Sequence, residues 1–101
     1  MNQTPAAKPA QPGQANRRVG IPPAQAIQVA AKLFSQNRFA QAVEVSRQIL
    51  ERKPELAEAY NILGVSLNAM GQGKQAIDAL RIAVKYAPGN STFFANLGEI
   101  Q

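Results

Sequence analysis

Residues 57–90 read AEAYNILGVSLNAMGQGKQAIDALRIAVKYAPGN, and this stretch decides the fold. It holds two apolar runs with the spacing of α-helices, separated by Gly71 and Gly73, and Pro88 ends the second run. A short turn makes successive helices antiparallel neighbours. The stretch therefore predicts a helix–turn–helix unit.

The same pattern continues on both sides of this unit and repeats with a fixed period of about 34 residues. The pairs matched at that separation are Pro54 and Pro88, Ala42 and Ala76, Leu50 and Val84, Tyr60 and Phe94, Leu63 and Leu97, and Gly64 and Gly98. We expect helices near 23–36, 39–52, 56–70, 73–86 and 91–101, which form units over 23–56 and 57–90 and a partial unit over 91–101. A fixed period of this length indicates an array of repeated helix–turn–helix units.

With these residues in place, the sequence resembles the tetratricopeptide repeat family. In residues 57–90 an expected residue type fills all eight signature positions, which are Tyr60, Leu63, Gly64, Leu67, Ala76, Leu80, Ala83 and Pro88. The resemblance covers residues 23–101 and amounts to about two and a third repeats. It implies an all-α fold, a right-handed α-α superhelical solenoid of antiparallel helix pairs.

Side-chain size indicates how the units pack. A small residue at Gly64 lets the two helices of the second unit approach closely, while Tyr60 and Leu80 fill the space beside it. In the first unit, Ala26 replaces a large aromatic residue and Ser46 replaces a bulky one. These replacements indicate a slimmer edge repeat, as terminal units of solenoids often are.

The partial third unit is unusually apolar for the end of an array. We expect Phe94 and Leu97 to lie back on the second unit, which leaves Phe93 and Ile100 with no following helix to cover them. A terminal capping helix usually presents a more polar outer face. The sequence therefore predicts a fragment of a longer array, whose C-terminal helix either frays or pairs with another copy.

The composition excludes most enzyme chemistry. The 101 residues include no Cys and no His, so thiolate nucleophiles, histidine bases, disulfides and the usual zinc ligand sets are missing. Neither Ser46 nor Ser66 lies in a catalytic motif, and the acidic residues show no paired-carboxylate spacing. We predict no catalytic residue, no cofactor and no metal, and hence a protein that is not an enzyme.

The net charge of +5 lies mostly in the N-terminal segment. Residues 1–22 hold Lys8, Arg17 and Arg18 and no acid, and they are rich in Pro, Ala and Gln. Such a segment buries too little apolar surface to fold, so we predict a disordered basic tail followed by a repeat domain over 23–101. No apolar run approaches the length of a membrane helix and no secretory signal is present, which favours a cytoplasmic protein without membrane partners.

The resemblance also implies a binding surface, the concave groove lined by the first helix of each unit. The groove-facing unit positions hold Ile27, Ala31, Phe34, Glu58, Asn61, Val65, Asn68, Thr92, Ala95 and Glu99. Apolar side chains flanked by amides predict a protein or peptide partner with an apolar or amphipathic segment. A simpler alternative stays open, in which Ile27 and Phe34 only pack against their neighbours.

Known subclasses of the family fit less well. Members that bind chaperone tails grip a C-terminal carboxylate with Lys, Arg and Asn, but those positions here carry Ile27, Ala31, Ile62, Thr92 and Asn96. The chaperone carboxylate clamp is therefore absent. The asparagine ladder of the arrays preceding O-GlcNAc transferase is matched at Asn96 alone.

Three functions remain open at this point. The first is a non-enzymatic protein-interaction module, the second is the substrate-recruiting N-terminal arm of a larger enzyme such as a glycosyltransferase or sulfotransferase, and the third is a self-assembling scaffold. Self-association through the C-terminal helix belongs to the third. Nucleic-acid binding is not expected, because the basic residues beyond the tail do not cluster on one face with stacking aromatics.

Overall fold

The computed structural model describes residues 21–101, and helices account for most of them. The helices are α1 (Pro23–Ser35), α2 (Phe39–Arg52), α3 (Ala57–Ala69), α4 (Gly73–Tyr86) and α5 (Ser91–Ile100). Each predicted helix is confirmed to within one residue at both ends. The predicted tail, residues 1–22, lies outside the described residues except for its last two. No helix between residues 21 and 101 has the length and apolarity needed to cross a membrane.

The turns that end α1 and α3 are built in the same way. Asn37 and Gly71, which hold equivalent positions in successive units, both adopt the left-handed conformation, with φ of 62° and 82°. The amide N–H of Arg38 donates to the carbonyl oxygen of Leu33 at 2.8 Å, and the equivalent bond recurs in the second unit at 2.9 Å. This is the Schellman pattern, which favours Gly or Asn at the left-handed position. The repeat period therefore extends to the backbone.

The helices stack in two rows. Each helix packs against the next along the chain, α3 and α4 share the largest interface, and α1 and α5 both contact α3. The first helices of the units, α1, α3 and α5, thus form one face, while α2 and α4 form the other. The predicted all-α solenoid of helix pairs is confirmed.

Small residues set the distance between the helices of a pair. A Cβ placed on Gly64 would lie 2.6 Å from Cγ of Leu80 and 3.1 Å from the carbonyl oxygen of Ala76. Such distances are shorter than van der Waals contact, so only glycine fits at this position. Beside this contact, the rings of Tyr60 and Tyr86 stack with their centroids 6.1 Å apart. The close approach predicted at Gly64 is confirmed.

Two buried serine side chains lack hydrogen-bond partners. Ser46 in α2 and Ser66 in α3 are fully buried, and neither hydroxyl has a hydrogen-bond partner. Ser46 occupies the position that Leu80 fills in the second unit. A buried unpaired hydroxyl costs about 1–3 kcal/mol, so each helix pair carries one such cost, and the first pair in addition has a small serine where the second has Leu80.

The packing predicted for α5 is wrong at Phe93 and Phe94. Phe93 is buried, with 5% of its surface exposed, whereas Phe94 is 48% exposed. Phe94 repeats Tyr60, whose ring stacks on Tyr86 of the following helix, whereas α5 is the last helix among residues 21–101. Phe93, one residue earlier, points about 100° around the helix and is covered instead.

The prediction for Ile100 is also corrected. Ile100 is half-buried and packs on a core cluster of the second unit that includes Leu63 and Leu67. Leu97 is half-buried as well. At the other end of α5, the Asn90 side chain accepts a hydrogen bond from the amide N–H of Phe93 at 3.1 Å and caps the helix.

Candidate partner-binding groove

The face formed by α1, α3 and α5 contains a concave pocket of about 450 Å³. Its lining residues come from all three helices and are Ala31, Phe34, Asn61, Ile62, Val65, Asn68, Ala69, Asn96, Glu99 and Ile100. We refer to this pocket and the helix faces around it as the groove. The three helices meet here because each starts a unit, so the repeat period places them on the same side of the stack.

Six of the ten residues predicted for the groove line the pocket. They are Ala31, Phe34, Asn61, Val65, Asn68 and Glu99. The other four do not line it: Ile27 is half-buried against the first core cluster, and Glu58, Thr92 and Ala95 are exposed. The structure therefore brings together the middle and last turns of the first helices, and their first turns lie outside the pocket.

Phe34 has two roles. Its ring lies 5.4 Å from the ring of Phe39 at the α1–α2 turn, and it packs on the first core cluster. It also lines the pocket and stays half-buried. Local packing and pocket lining, which the sequence left as alternatives, coexist at this residue, while Ile27 packs locally.

Sequence reasoning missed four lining residues, which are Ile62, Ala69, Asn96 and Ile100. Ile62 and Asn96 are one repeat period apart and hold the same position in successive units. That equivalence is a signal in the sequence, and adding this unit position to the groove would have found both. Ala69 and Ile100 directly follow Asn68 and Glu99, two residues predicted for the groove, so both lie next to predicted positions.

A hydrogen bond between two amides joins two of the helices that line the pocket. The Nδ2 of Asn96 donates to Oδ1 of Asn61 at 2.9 Å, which links α5 to α3, and both side chains are half-buried. A side-chain amide offers two donors and two acceptor lone pairs, so each partner keeps unused bonding capacity. Asn61 therefore supports the fold and remains able to bind a peptide backbone, whereas Asn68 is exposed.

This amide pair leads to a stability prediction. Asn61→Ala and Asn96→Ala should each lower the free energy of unfolding by about 1 kcal/mol, because each leaves the other amide without its partner. The double variant should lose less than the sum, since both changes remove one bond. Urea unfolding followed by circular dichroism measures the four proteins. Asn68→Ala is the control, with no expected change, and strict additivity of the two losses would refute the coupling.

The pocket lining carries a single charged side chain. Glu99 is the one charged residue among those that line the pocket, and it is exposed on the last turn of α5. The remaining lining residues are apolar or carry amides. Among residues 21–101, no cluster of acidic side chains is arranged to hold a metal ion. The lining therefore offers apolar area, amide groups for hydrogen bonds and one carboxylate.

Comparison with known proteins adds evidence on the fold. No family model matches the chain, and no curated protein matches it. Among solved structures, MamA from Desulfovibrio magneticus RS-1, residues 41 to the end, matches with a TM-score of 0.71 and 24% sequence identity. The ArsTM double mutant of MamA RS-1 matches with the same values.

The alignment with MamA covers most of this chain but less than half of MamA. It includes 74% of this chain and 42% of MamA, so the chain spans less than half the length of the proteins it matches. MamA is a tetratricopeptide-like helical solenoid, and similarity at this level of identity establishes the fold alone. The resemblance inferred from the repeat period is thus confirmed for the fold, which is a tetratricopeptide-like helical solenoid.

Proposed function

We propose that this chain is a non-catalytic protein–protein interaction module that binds a partner segment in the groove. The observation that carries the proposal is the pocket of about 450 Å³, because side chains from α1, α3 and α5 converge on it. Concave, largely apolar surfaces with a few convergent polar groups are the usual form of a binding site. The same residues offer no nucleophile and no general base other than Glu99.

The lining indicates how a segment would be held. Phe34, Ile62 and Val65 supply apolar surface that gains free energy when a side chain displaces water from it. Asn61 and Asn96 provide the remaining amide donors and acceptors, which match the backbone of an extended peptide. An apolar or amphipathic protein segment fits this chemistry. An acidic C-terminal tail does not, since the positions of the carboxylate clamp carry no cation.

A random peptide library tests the proposal. We expect the wild-type chain to select peptides with an apolar anchor, and Val65→Glu to weaken their binding at least about tenfold, because a charge then lies in the apolar pocket. Val29→Glu is a matched control: the same substitution at a residue of α1 that is 43% exposed and does not line the pocket. Circular dichroism verifies that both variants fold.

Two results of this experiment would reject the groove as the site. One is a library from which the folded wild-type chain enriches nothing. The other is an equal loss of binding in Val65→Glu and Val29→Glu, since this would place the contact elsewhere or reduce it to a general effect of charge.

Self-association through α5 is a second candidate, favoured by one observation. Phe94 is 48% exposed, and a Cβ on Gly98, one turn later, would meet nothing within 4 Å. The two residues form an apolar surface that a helix of a second copy would cover. Sedimentation equilibrium should show dimers that Phe94→Ala removes and that Met70→Ala, which shortens another exposed apolar side chain, retains. A wild-type chain that stays monomeric at high concentration would exclude this candidate.

A further inference from the structure

We infer that the partner segment of the groove is cationic: it pairs an apolar anchor with Lys or Arg side chains that face Glu99. This inference rests on the proposed function and adds the partner's charge. The chain itself has a net charge of +5, with 11 basic and six acidic residues, so its overall field favours acidic partners. The local charge of the groove is negative, so the overall charge and the local charge predict ligands of opposite sign.

The two faces of the solenoid differ in charge. The first helices, α1, α3 and α5, carry one base, Lys32, and two acids, Glu58 and Glu99. The second helices, α2 and α4, carry five bases and three acids, which are Arg47, Arg52, Lys74, Arg81 and Lys85 with Glu44, Glu51 and Asp78. Lys32 does not line the pocket, whereas Glu99 does. A partner in the pocket therefore meets the Glu99 carboxylate and no cation among the lining side chains.

The geometry places the anchor and the cation at opposite ends of the pocket. Phe34 lines it from α1 and Glu99 lines it from α5, with α3 between them. Two helix-to-helix steps correspond to about 16–20 Å. An extended peptide rises about 3.3 Å per residue, so about five or six residues connect an apolar side chain beside Phe34 to a cation beside Glu99.

Exposed charge pairs are individually weak, and this sets the expected size of the effect. A single exposed ion pair changes affinity by about twofold to fivefold, and at physiological salt only charges within about 8 Å act strongly. The local carboxylate then outweighs the distant bases of α2 and α4. A cationic segment gains from Glu99, while an acidic one is repelled by it.

The experiment uses the chain with a random peptide library at about physiological salt, where screening limits the general field. Wild type should enrich peptides that carry Lys or Arg about five or six residues from an apolar anchor. Glu99→Gln should remove this preference and weaken an enriched peptide about twofold to fivefold. Glu51→Gln on α2 is the matched control, because it changes the net charge equally and should leave binding unchanged.

The outcomes separate this inference from the proposed function. Enriched apolar peptides without an excess of Lys and Arg, or equal effects of Glu99→Gln and Glu51→Gln, would overturn the inference and leave groove binding in place. A failure to enrich any peptide would overturn both. Loss of the basic preference in Glu99→Gln alone would support the inference.

Discussion

Gly64→Ala should lower the free energy of unfolding by about 1–3 kcal/mol, because the new methyl group has no space. Its Cβ would lie 2.6 Å from Cγ of Leu80, which is fully buried, and 3.1 Å from the backbone oxygen of Ala76. Neither atom is the free end of a flexible side chain, so α3 and α4 must move apart. The melting temperature should fall by about 4–8 °C for each kcal/mol lost.

Gly98 provides an internal control for this prediction. It holds the same position in the next unit, but nothing lies within 4 Å of the Cβ it would gain. Gly98→Ala should therefore leave stability unchanged or raise it by up to about 1 kcal/mol, through the better helix propensity of alanine. Thermal and urea unfolding measure both variants. If Gly64→Ala were as stable as Gly98→Ala, the close contact of α3 and α4 would be refuted.

Phe93→Ala should release α5, whereas Phe94→Ala should hardly affect stability. Truncation of a buried Phe costs about 3–5 kcal/mol, and Phe93 is the one buried residue of α5. The loss in global stability is limited to the free energy that docks α5, since an edge helix can unfold while its neighbours stay folded. Phe94, which is half exposed, has little packing to lose.

Hydrogen exchange resolved by residue measures this difference directly. In Phe93→Ala the amides of α5 should exchange much faster, while those of α3 and α4 keep most of their protection. Phe94→Ala should retain the wild-type pattern. Equal exchange in the two variants would contradict this packing, and faster exchange in Phe94→Ala alone would favour the packing that the sequence first suggested.

The sequence predicted the helices well because local chemistry decides where they end. Gly71, Asn37 and the prolines at 54 and 88 act on their own backbone, so their effect needs no knowledge of the neighbours. The close contact at Gly64 was also predictable, because a glycine within an apolar helix lets the neighbouring helix of the same unit approach closely. Six of the ten predicted groove residues line the pocket, because the repeat places the first helices of all units on one face.

The predictions were wrong or incomplete where residues at equivalent repeat positions make different contacts. Phe94 repeats Tyr60, but a repeated residue is buried only if the helix that covers it is repeated too. The bond between Asn61 and Asn96 links two different unit positions, so no comparison of equivalent positions identifies it. Such contacts depend on the rotation and tilt of neighbouring helices, which tertiary packing decides.

The two buried serine hydroxyls also affect how the molecule opens. Their unpaired state is relieved when water reaches them, so it favours brief opening of the helices that hide Ser46. In a solenoid such opening spreads to neighbours and leaves distant units closed. A ligand that bridges Phe34 and Val65 would hold α1 against α3 and suppress this opening. Occupancy of the groove would then be visible as slower exchange in α2, a helix that the ligand does not touch.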